Sequence, residues 1–208
     1  MADIAAAVRE AESIRKVATG DAKRVATALM RAFHDDPAFA WVTPELDRRE
    51  RAYRGFFELG LGRVWLGQGT SYTTGGVVGA AVWEPPGEWK LSAAAQLRLL
   101  PGMLRVWRRD APRALRALAK MESNHPRERH WYLAFIGVEP EWQGRGLGAA
   151  LLRPMLERCD RERMPAYLEA SSPKNRPLYE RHGFQVTEEF RFAKDGPPLW
   201  RMWREPRG

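Results

Sequence analysis

Phe135-Ile136-Gly137-Val138-Glu139-Pro140-Glu141-Trp142-Gln143-Gly144-Arg145-Gly146-Leu147-Gly148 reads as an apolar strand, a proline turn and a glycine-rich entry into a helix. Glycines at such a turn let the backbone come close to a bound group, because no Cβ intervenes. The first amides of the following helix lack intrahelical partners, and with the helix dipole they aim positive potential into the loop. A phosphate or pyrophosphate is the natural guest, and Arg145 adds a charged donor at the mouth. Spacing separates this loop from two better-known phosphate sites. The Gly-Lys-Ser/Thr ending of a P-loop is missing. A dinucleotide fingerprint needs Gly-x-Gly-x-x-Gly directly after its strand, whereas Gly144-x-Gly146-x-Gly148 begins several residues past Val138. A tight connection without ligand is the plain alternative for three glycines alone.

Around this stretch the pattern predicts a strand over 131–138 and a helix over 146–161, with Gly148, Leu151, Leu152, Met155 and Cys159 on one face. Pro154 inside that helix should cost about 3 kcal/mol or kink it. A strand over 166–170, a short helix from about 175 to 181 stopped by Gly183, and strands over 184–192 and 199–203 follow. Upstream, 13–18 reads as a strand and 21–33 as a helix with Asp21 as N-cap, broken at Asp36-Pro37. A second helix fits 46–61, and 64–66 with 76–83 read as two strands around a Gly-rich turn, ended by Pro85-Pro86-Gly87. The stretch 91–121 is helical but interrupted by Pro101 and Pro112, which predicts two or three short helices. Helices and strands alternating around a mixed sheet make this an α/β chain.

Composition bounds the function classes. The chain has 208 residues, 44% hydrophobic and 29% charged, with no internal repeat or low-complexity linker, so one domain over 1–208 is expected. A single cysteine, Cys159, excludes an internal disulfide and a multi-thiolate zinc site. His34, His125, His130 and His182 lack the close pairings of a helical or finger-type metal site, so no metal is expected. Met1-Ala2-Asp3-Ile4 puts an acid where an export signal needs positive charge. Apolar runs such as 80–83 fall far short of the roughly 20 residues that cross a bilayer. A soluble, cytoplasmic protein is expected. Thirty-four Lys and Arg against 26 Asp and Glu give a formal charge of +8, which attracts polyanions of any kind.

At Gln143, Gly146 and Gly148 the chain resembles the GNAT acetyltransferase superfamily, whose acetyl-CoA signature is Gln/Arg-x-x-Gly-x-Gly/Ala. The Val138-x-Pro140 turn resembles the end of that family's fourth strand. Glu169-x-Ser171, Asn175, Tyr179 and Gly183-Phe184 resemble its fifth strand and fourth helix. The similarity runs over 131–184, and Ala81-Val82-Trp83 extends it upstream. More narrowly, Leu168-Glu169-Ala170-Ser171, with Pro173, Asn175, Pro177 and Tyr179-Glu180-Arg181, resembles the branch containing puromycin N-acetyltransferase. The resemblance implies a GNAT-type mixed, mostly antiparallel central sheet flanked by helices, with 91–121 as an extra helical insertion before the fourth strand. It places the acceptor side mainly in 1–125 and the acetyl-CoA and catalytic segment in 130–184.

The resemblance also implies site residues. The pyrophosphate of acetyl-CoA would lie on Gln143, Gly144, Arg145, Gly146, Leu147, Gly148 and Ala149. Its pantetheine arm would lie along Phe135, Ile136, Gly137 and Val138 like an added strand. A backbone N–H near 135–137 would face the thioester carbonyl. Asn175 and Tyr179, four apart, share a helix face toward the sulfur, and Tyr179 is the candidate general acid, its alternative being a core tyrosine. Glu169 is the candidate base; Glu122, His34, His130, Asp35 and Asp36 are its rivals, and an amine of modest pKa needs none. Phe33, Asp35, Asp36, Phe39 and Trp41, with Trp83 on another wall, suit a cation bearing an apolar or aromatic body. A helix-ending Asp-Asp-Pro turn with core aromatics explains that loop equally.

The expected activity is acetyl transfer from acetyl-CoA, a co-substrate, to a primary amine of a small molecule such as an antibiotic or metabolite, by direct attack in a ternary complex. Cys159, on a packing face, is a poor nucleophile when buried. One alternative is a protein or peptide N-acetyltransferase. Another is a non-catalytic nucleic-acid or membrane binder, motivated by Arg98, Arg105, Arg108, Arg109, Arg113, Arg116 and Lys120 among leucines. Prolines 101 and 112 should break the phase of that stripe and leave a solvated face. The expected partners are therefore a small-molecule amine, no specific nucleic acid and no membrane, with the chain a monomer or homodimer.

Overall fold

The chain, seen in a computed structural model, is described over residues 13–208; the Met1-Ala2-Asp3-Ile4 start read above lies outside them. Strands β1 (Ile14–Lys16), β2 (Ser71–Thr74), β3 (Gly79–Glu84), β4 (Trp131–Val138), β5 (Ala166–Ala170), β6 (Gln185–Arg191) and β7 (Pro198–Arg204) form one sheet in the order β1-β2-β3-β4-β5-β7-β6. Helices are α1 (Ala22–Ala32), α2 (Pro37–Val42), α3 (Leu46–Gly60), α4 (Ala93–Trp107), α5 (Ala111–Asn124), α6 (Leu147–Arg161) and α7 (Arg176–Arg181). Every pairing is antiparallel except β4 with β5. This is the α/β, mostly antiparallel sheet flanked by helices that the sequence leads one to expect.

Helices cover both faces of the central strands, which is why β3 is buried at all six positions and shows no polar alternation. On one face Val25 and Leu29 of α1 and Tyr53 and Phe57 of α3 pack with Val82. On the other, Leu151, Leu152, Met155 and Cys159 of α6 are fully buried against Ala81, Trp83, Leu133 and Leu168. The apolar face read for 146–161 is the packed one, and its burial carries the helix through Pro154. Among the described residues no helix is long and apolar enough to cross a membrane.

Four local expectations are corrected. Residues 64–66 are not a strand: α3 continues as a π-turn, Leu61–Trp65, and a 3₁₀ turn, Leu66–Gln68. Trp65 folds back over Gly60, where an added Cβ would lie 2.2 Å from the indole, so ring packing holds the helical path. Asp21 stands at the N-cap position of α1, but its side chain bonds no amide of that helix; it accepts the Ala18 N–H at 2.9 Å and pairs with Arg15. Asp36-Pro37 ends α1 and also starts α2, with Asp36 accepting from the Ala38 and Phe39 amides at 2.9 and 3.2 Å. Finally, Pro101 lies inside an unbroken α4, and Pro112 sits in the first turn of α5, where its missing N–H costs nothing.

Candidate active site

The parallel pairing of β4 with β5 is confined to Trp131↔Ala166 and Tyr132↔Tyr167. Beyond it the strands part, and β4 is only half-buried from 134 to 138. The β3–β4 register shifts between Val82↔Phe135 and Trp83↔Leu133, so Ala134 is the extra residue of a bulge. The bulge seats the Phe135 ring among Trp65, Phe57 and Phe56 at 5.1, 5.3 and 5.6 Å. Its side chain belongs to the core, which leaves the main chain of Phe135, Ile136, Gly137 and Val138 as the part that can meet a ligand in the fork. Gly137 is required by packing: a Cβ there would lie 2.7 Å from that of Ala32.

At the open end of the fork, Gln143 Nε2 donates to the Val138 carbonyl at 3.0 Å and braces the turn. Gly144 and Gly146 have φ of 76° and 82°, the left-handed region, with open space where a Cβ would point. Backbone conformation, not crowding, demands glycine there. The helical ladder begins with Ala150 N–H to Gly146 C=O at 3.0 Å, so the amides of Leu147, Gly148 and Ala149 precede it. Residues 143–146 are exposed, and the Arg145 guanidinium lies 5.0 Å from the Trp142 ring centroid. An exposed turn with free amides and a cation, followed by an open strand edge, fits a diphosphate with an extended amide-bearing arm. Gly148 serves packing instead, since its Cβ would meet Leu178 at 3.1 Å and its absence lets α7 pack on α6.

Helix α7 carries Tyr179 into the core at 6% exposure, edge-on to Phe184 at 6.2 Å. Burial, aided by the Asp36 charge, raises its phenol above the ordinary value. The helix ends with Gly183 at φ 92° and with Phe184 N–H bonded to the Tyr179 carbonyl at 3.1 Å. Arg204 fixes that end, donating to His182 C=O at 2.9 Å and to both oxygens of Asp160 at 2.7 and 2.8 Å. Asn175 stands exposed at the N-cap without a side-chain capping bond, less enclosed than Tyr179 one turn on.

Asp36 is no free anion. Oδ1 holds the two α2 amides, and Oδ2 accepts the Ser171 hydroxyl at 2.5 Å, which ties the start of α2 to the end of β5. Burial raises its pKa. Asp35 is exposed beside His34 (2.9 Å) and Arg49 (3.5 Å). Half-buried Phe33 and Phe39 lie 4.9 Å apart next to Phe135, whereas Trp41 packs on Phe192 at 5.6 Å and Arg113 at 5.4 Å. Trp83 does not join them. It is fully buried in the α6-side core, on the opposite face of the sheet, because β3 alternates, with Ala81 and Trp83 facing α6 and Ala80 and Val82 facing α1 and α3.

Glu169 lies on the face of β5 turned away from α6, opposite Leu168 and Ala170. Tyr167 donates to its Oε1 at 2.7 Å and His125 Nδ1 lies 3.8 Å away. Burial raises its carboxyl to about 7, against hydrogen bonds from Tyr167 and Tyr132 that favour the ion. Glu84, at the end of β3, is in register with Tyr132, and Tyr132 with Tyr167. Glu84 accepts the Trp65 indole N–H at 2.8 Å; burial first, then the Glu169 charge, raises it to about 7. His125 and His130 share a hydrogen bond at 2.9 Å between Nε2 atoms, and Trp89 stacks on His125 at 3.7 Å. Burial lowers both imidazoles, His125 to about 3, so they are neutral near pH 7. Of the rival bases, Glu122 pairs with Lys90 and His34 with Asp35. Sequence reading missed Glu84, Tyr132, Tyr167 and His125. The Tyr167-x-Glu169 alternation puts Tyr167 on the face of Glu169, but only strand register adds Glu84 and Tyr132. Among the described residues no group of three His, Cys, Asp or Glu side chains is placed to hold a metal.

A buried carboxyl raised above the ordinary value near 4.3 costs stability only once it ionises. Its share of stability is fully present below that value and is lost as pH rises through about 7. Glu84→Gln keeps an acceptor for Trp65 and removes the ionisation. The variant should match the wild type near pH 3.5, below both values, and be more stable by about 3 kcal/mol near pH 9. Thermal melts at about pH 3.5 and pH 9 check this; a difference independent of pH would contradict it.

Comparison with known proteins adds independent observations. The sequence model of the acetyltransferase (GNAT) family matches residues 26–184. An uncharacterized N-acetyltransferase of Schizosaccharomyces pombe is 29% identical over 213 residues, covering 92% of this chain and 83% of that protein. A solved structure described as histone acetyltransferase HPA2 and related acetyltransferase, from Corynebacterium glutamicum, superposes with a TM-score of 0.70 at 25% identity, covering 94% of this chain and 97% of that one. Arylalkylamine N-acetyltransferase 2 of Aedes aegypti shares the fold, with a TM-score of 0.65 at 13% identity, covering 94% and 99%.

Proposed function

The chain belongs to the acetyltransferase (GNAT) family, and from that premise we propose that it moves an acetyl group from acetyl-CoA to the primary amine of a small molecule by direct attack in a ternary complex. The observation that supports the reading is the β4–β5 fork, followed by an exposed turn with free amides, with Glu169 and Glu84 buried on the sheet face away from α6. Acetyl-CoA supplies an activated acetyl thioester. Arg145 and the amides of Leu147, Gly148 and Ala149 hold its diphosphate, and the free edge of β4 takes its arm through main-chain hydrogen bonds. An amide near Phe135 to Gly137 donates to the carbonyl oxygen where negative charge develops. Glu169 takes the proton of the acceptor ammonium, with Tyr132 and Tyr167 as its relay, and Tyr179 keeps a proton for the departing sulfur. Cys159 plays no part: it is fully buried against the sheet and burial raises its thiol to about 12.

A small acceptor is supported by two carboxyls set among aromatic rings, which suit an ammonium on an apolar body. The likeness of 168–181 to the puromycin N-acetyltransferase branch and the arylalkylamine acetyltransferase neighbour point the same way. A peptide lysine is the second reading, favoured by the Corynebacterium neighbour described as a histone acetyltransferase. Saturating acetyl-CoA should raise the melting temperature, since a ligand at 100 times its Kd stabilises by about 2.7 kcal/mol. Gly146→Val, which forces a β-branched residue to positive φ, should weaken that effect by about 10-fold in affinity. No shift in the wild type would refute the cofactor site. A panel of aralkylamines, polyamines, aminonucleoside antibiotics and lysine peptides then identifies the acceptor; acetylation of peptides alone would replace the first reading by the second.

A further inference from the structure

Helices α4 and α5 distribute their side chains the wrong way round for a pair that meets only water. Facing the core, α5 places Ala111, Ala114 and Ala117, at 5%, 3% and 6% exposure. Facing solvent, it places Leu115 and Leu118 at 42% and 44%, while α4 exposes Leu97 and Leu104 at 70% and 45%. The inner face of α4 is closed by close contacts, Gly102 against Leu59 and Val106 against Gly55, so these leucines are not needed there. The helical phase survives Pro101, because α4 runs through that proline and Leu97, Pro101 and Leu104 lie on one exposed face.

Charge is sorted in the same segment. Arg98, Arg105 and Arg116 each directly follow an outward leucine, and Arg108 and Arg109 cap the turn between the helices, all exposed. The acids of α4, α5 and that turn are Asp110, buried beside Arg48 at 3.2 Å, and Glu122, paired with Lys90. Apolar anchors with guanidinium groups about 100° away around the helix suit an interface whose depth is apolar and whose rim is anionic. A second copy would set cation against cation across the same patch. Duplex nucleic acid satisfies the arginines but gives four leucines nothing to enter.

We propose that the α4–α5 hairpin is a docking surface for an anionic lipid bilayer, with Leu97, Leu104, Leu115 and Leu118 entering the headgroup boundary and the arginines neutralising phosphates. The inference does not depend on the acetyltransfer reading, since none of these residues lies at the fork. The test is co-sedimentation of the full chain with vesicles of phosphatidylcholine alone, or with a third of the lipid replaced by phosphatidylglycerol. The wild type should partition onto the anionic vesicles and not the neutral ones. L97S/L104S/L115S/L118S, with unchanged charge, should lower that partition by about 10-fold or more, and R98E/R109E/R116E should do the same. An unchanged melting temperature verifies that both variants are folded. The proposal is overturned if anionic vesicles leave the protein in solution, if binding survives loss of the leucines, or if duplex DNA is bound more tightly than the vesicles in a leucine-independent way.

Discussion

Tyr179→Phe should lower turnover at neutral pH by roughly 10²-fold or more, the scale of a lost general acid, while acetyl-CoA affinity stays essentially unchanged. The phenylalanine ring keeps the volume of the site and the edge-on contact to Phe184, so a fall in rate without a fall in melting temperature isolates the hydroxyl. The shape of the pH profile is equally informative. Burial and the nearby Asp36 charge raise the phenol above its ordinary value near 10, so Tyr179 stays protonated throughout the neutral range. The variant should therefore be slower by the same factor from about pH 6 to pH 9, with no limb lost or gained. Thiol release at saturating acetyl-CoA and acceptor measures both. Equal turnover in the variant would remove the acid role and leave Tyr179 as a core residue.

Glu169→Gln should cost a comparable factor, roughly 10² to 10⁴, and should change the profile itself. A base acts as the ion, and the Glu169 carboxyl sits at about 7, so wild-type rate should fall as pH drops through that value. In the variant that acid limb should vanish, leaving only the titration of the acceptor amine. Glu84 supplies a cross-check, because its charge and that of Glu169 oppose each other's ionisation. Glu84→Gln should therefore move the acid limb of the rate profile to lower pH while the rate on the plateau changes little. If Glu169→Gln kept both the rate and the limb, proton removal would belong to another group or to water.

The parts of this protein that were legible in its residues are those where a few neighbours dictate a local backbone. Gly144 and Gly146 mark a left-handed turn, Leu151 to Cys159 mark one packed face, and the strand over 131–138 and the cap at Gly183 follow from pattern alone. Together they define the α/β class and an exposed glycine turn that opens a helix. Reading by neighbours failed where a distant segment had the stronger claim: Trp65 is helical because its ring closes over Gly60, and α4 passes Pro101 because α3 receives its inner face. The acceptor side lay beyond reach for the same reason. Asp36 meets Ser171 across 135 positions, the bulge at Ala134 sends Ala134 and Phe135 to the same face, and Glu84, Tyr132, Tyr167 and Glu169 gather only because three strands pair in one register. Spacing along a chain encodes helical phase and turn geometry, which are local energies. Strand register, bulges and the desolvation that moves a carboxyl toward neutrality are set by the packing of segments against one another, and only the tertiary structure decides them.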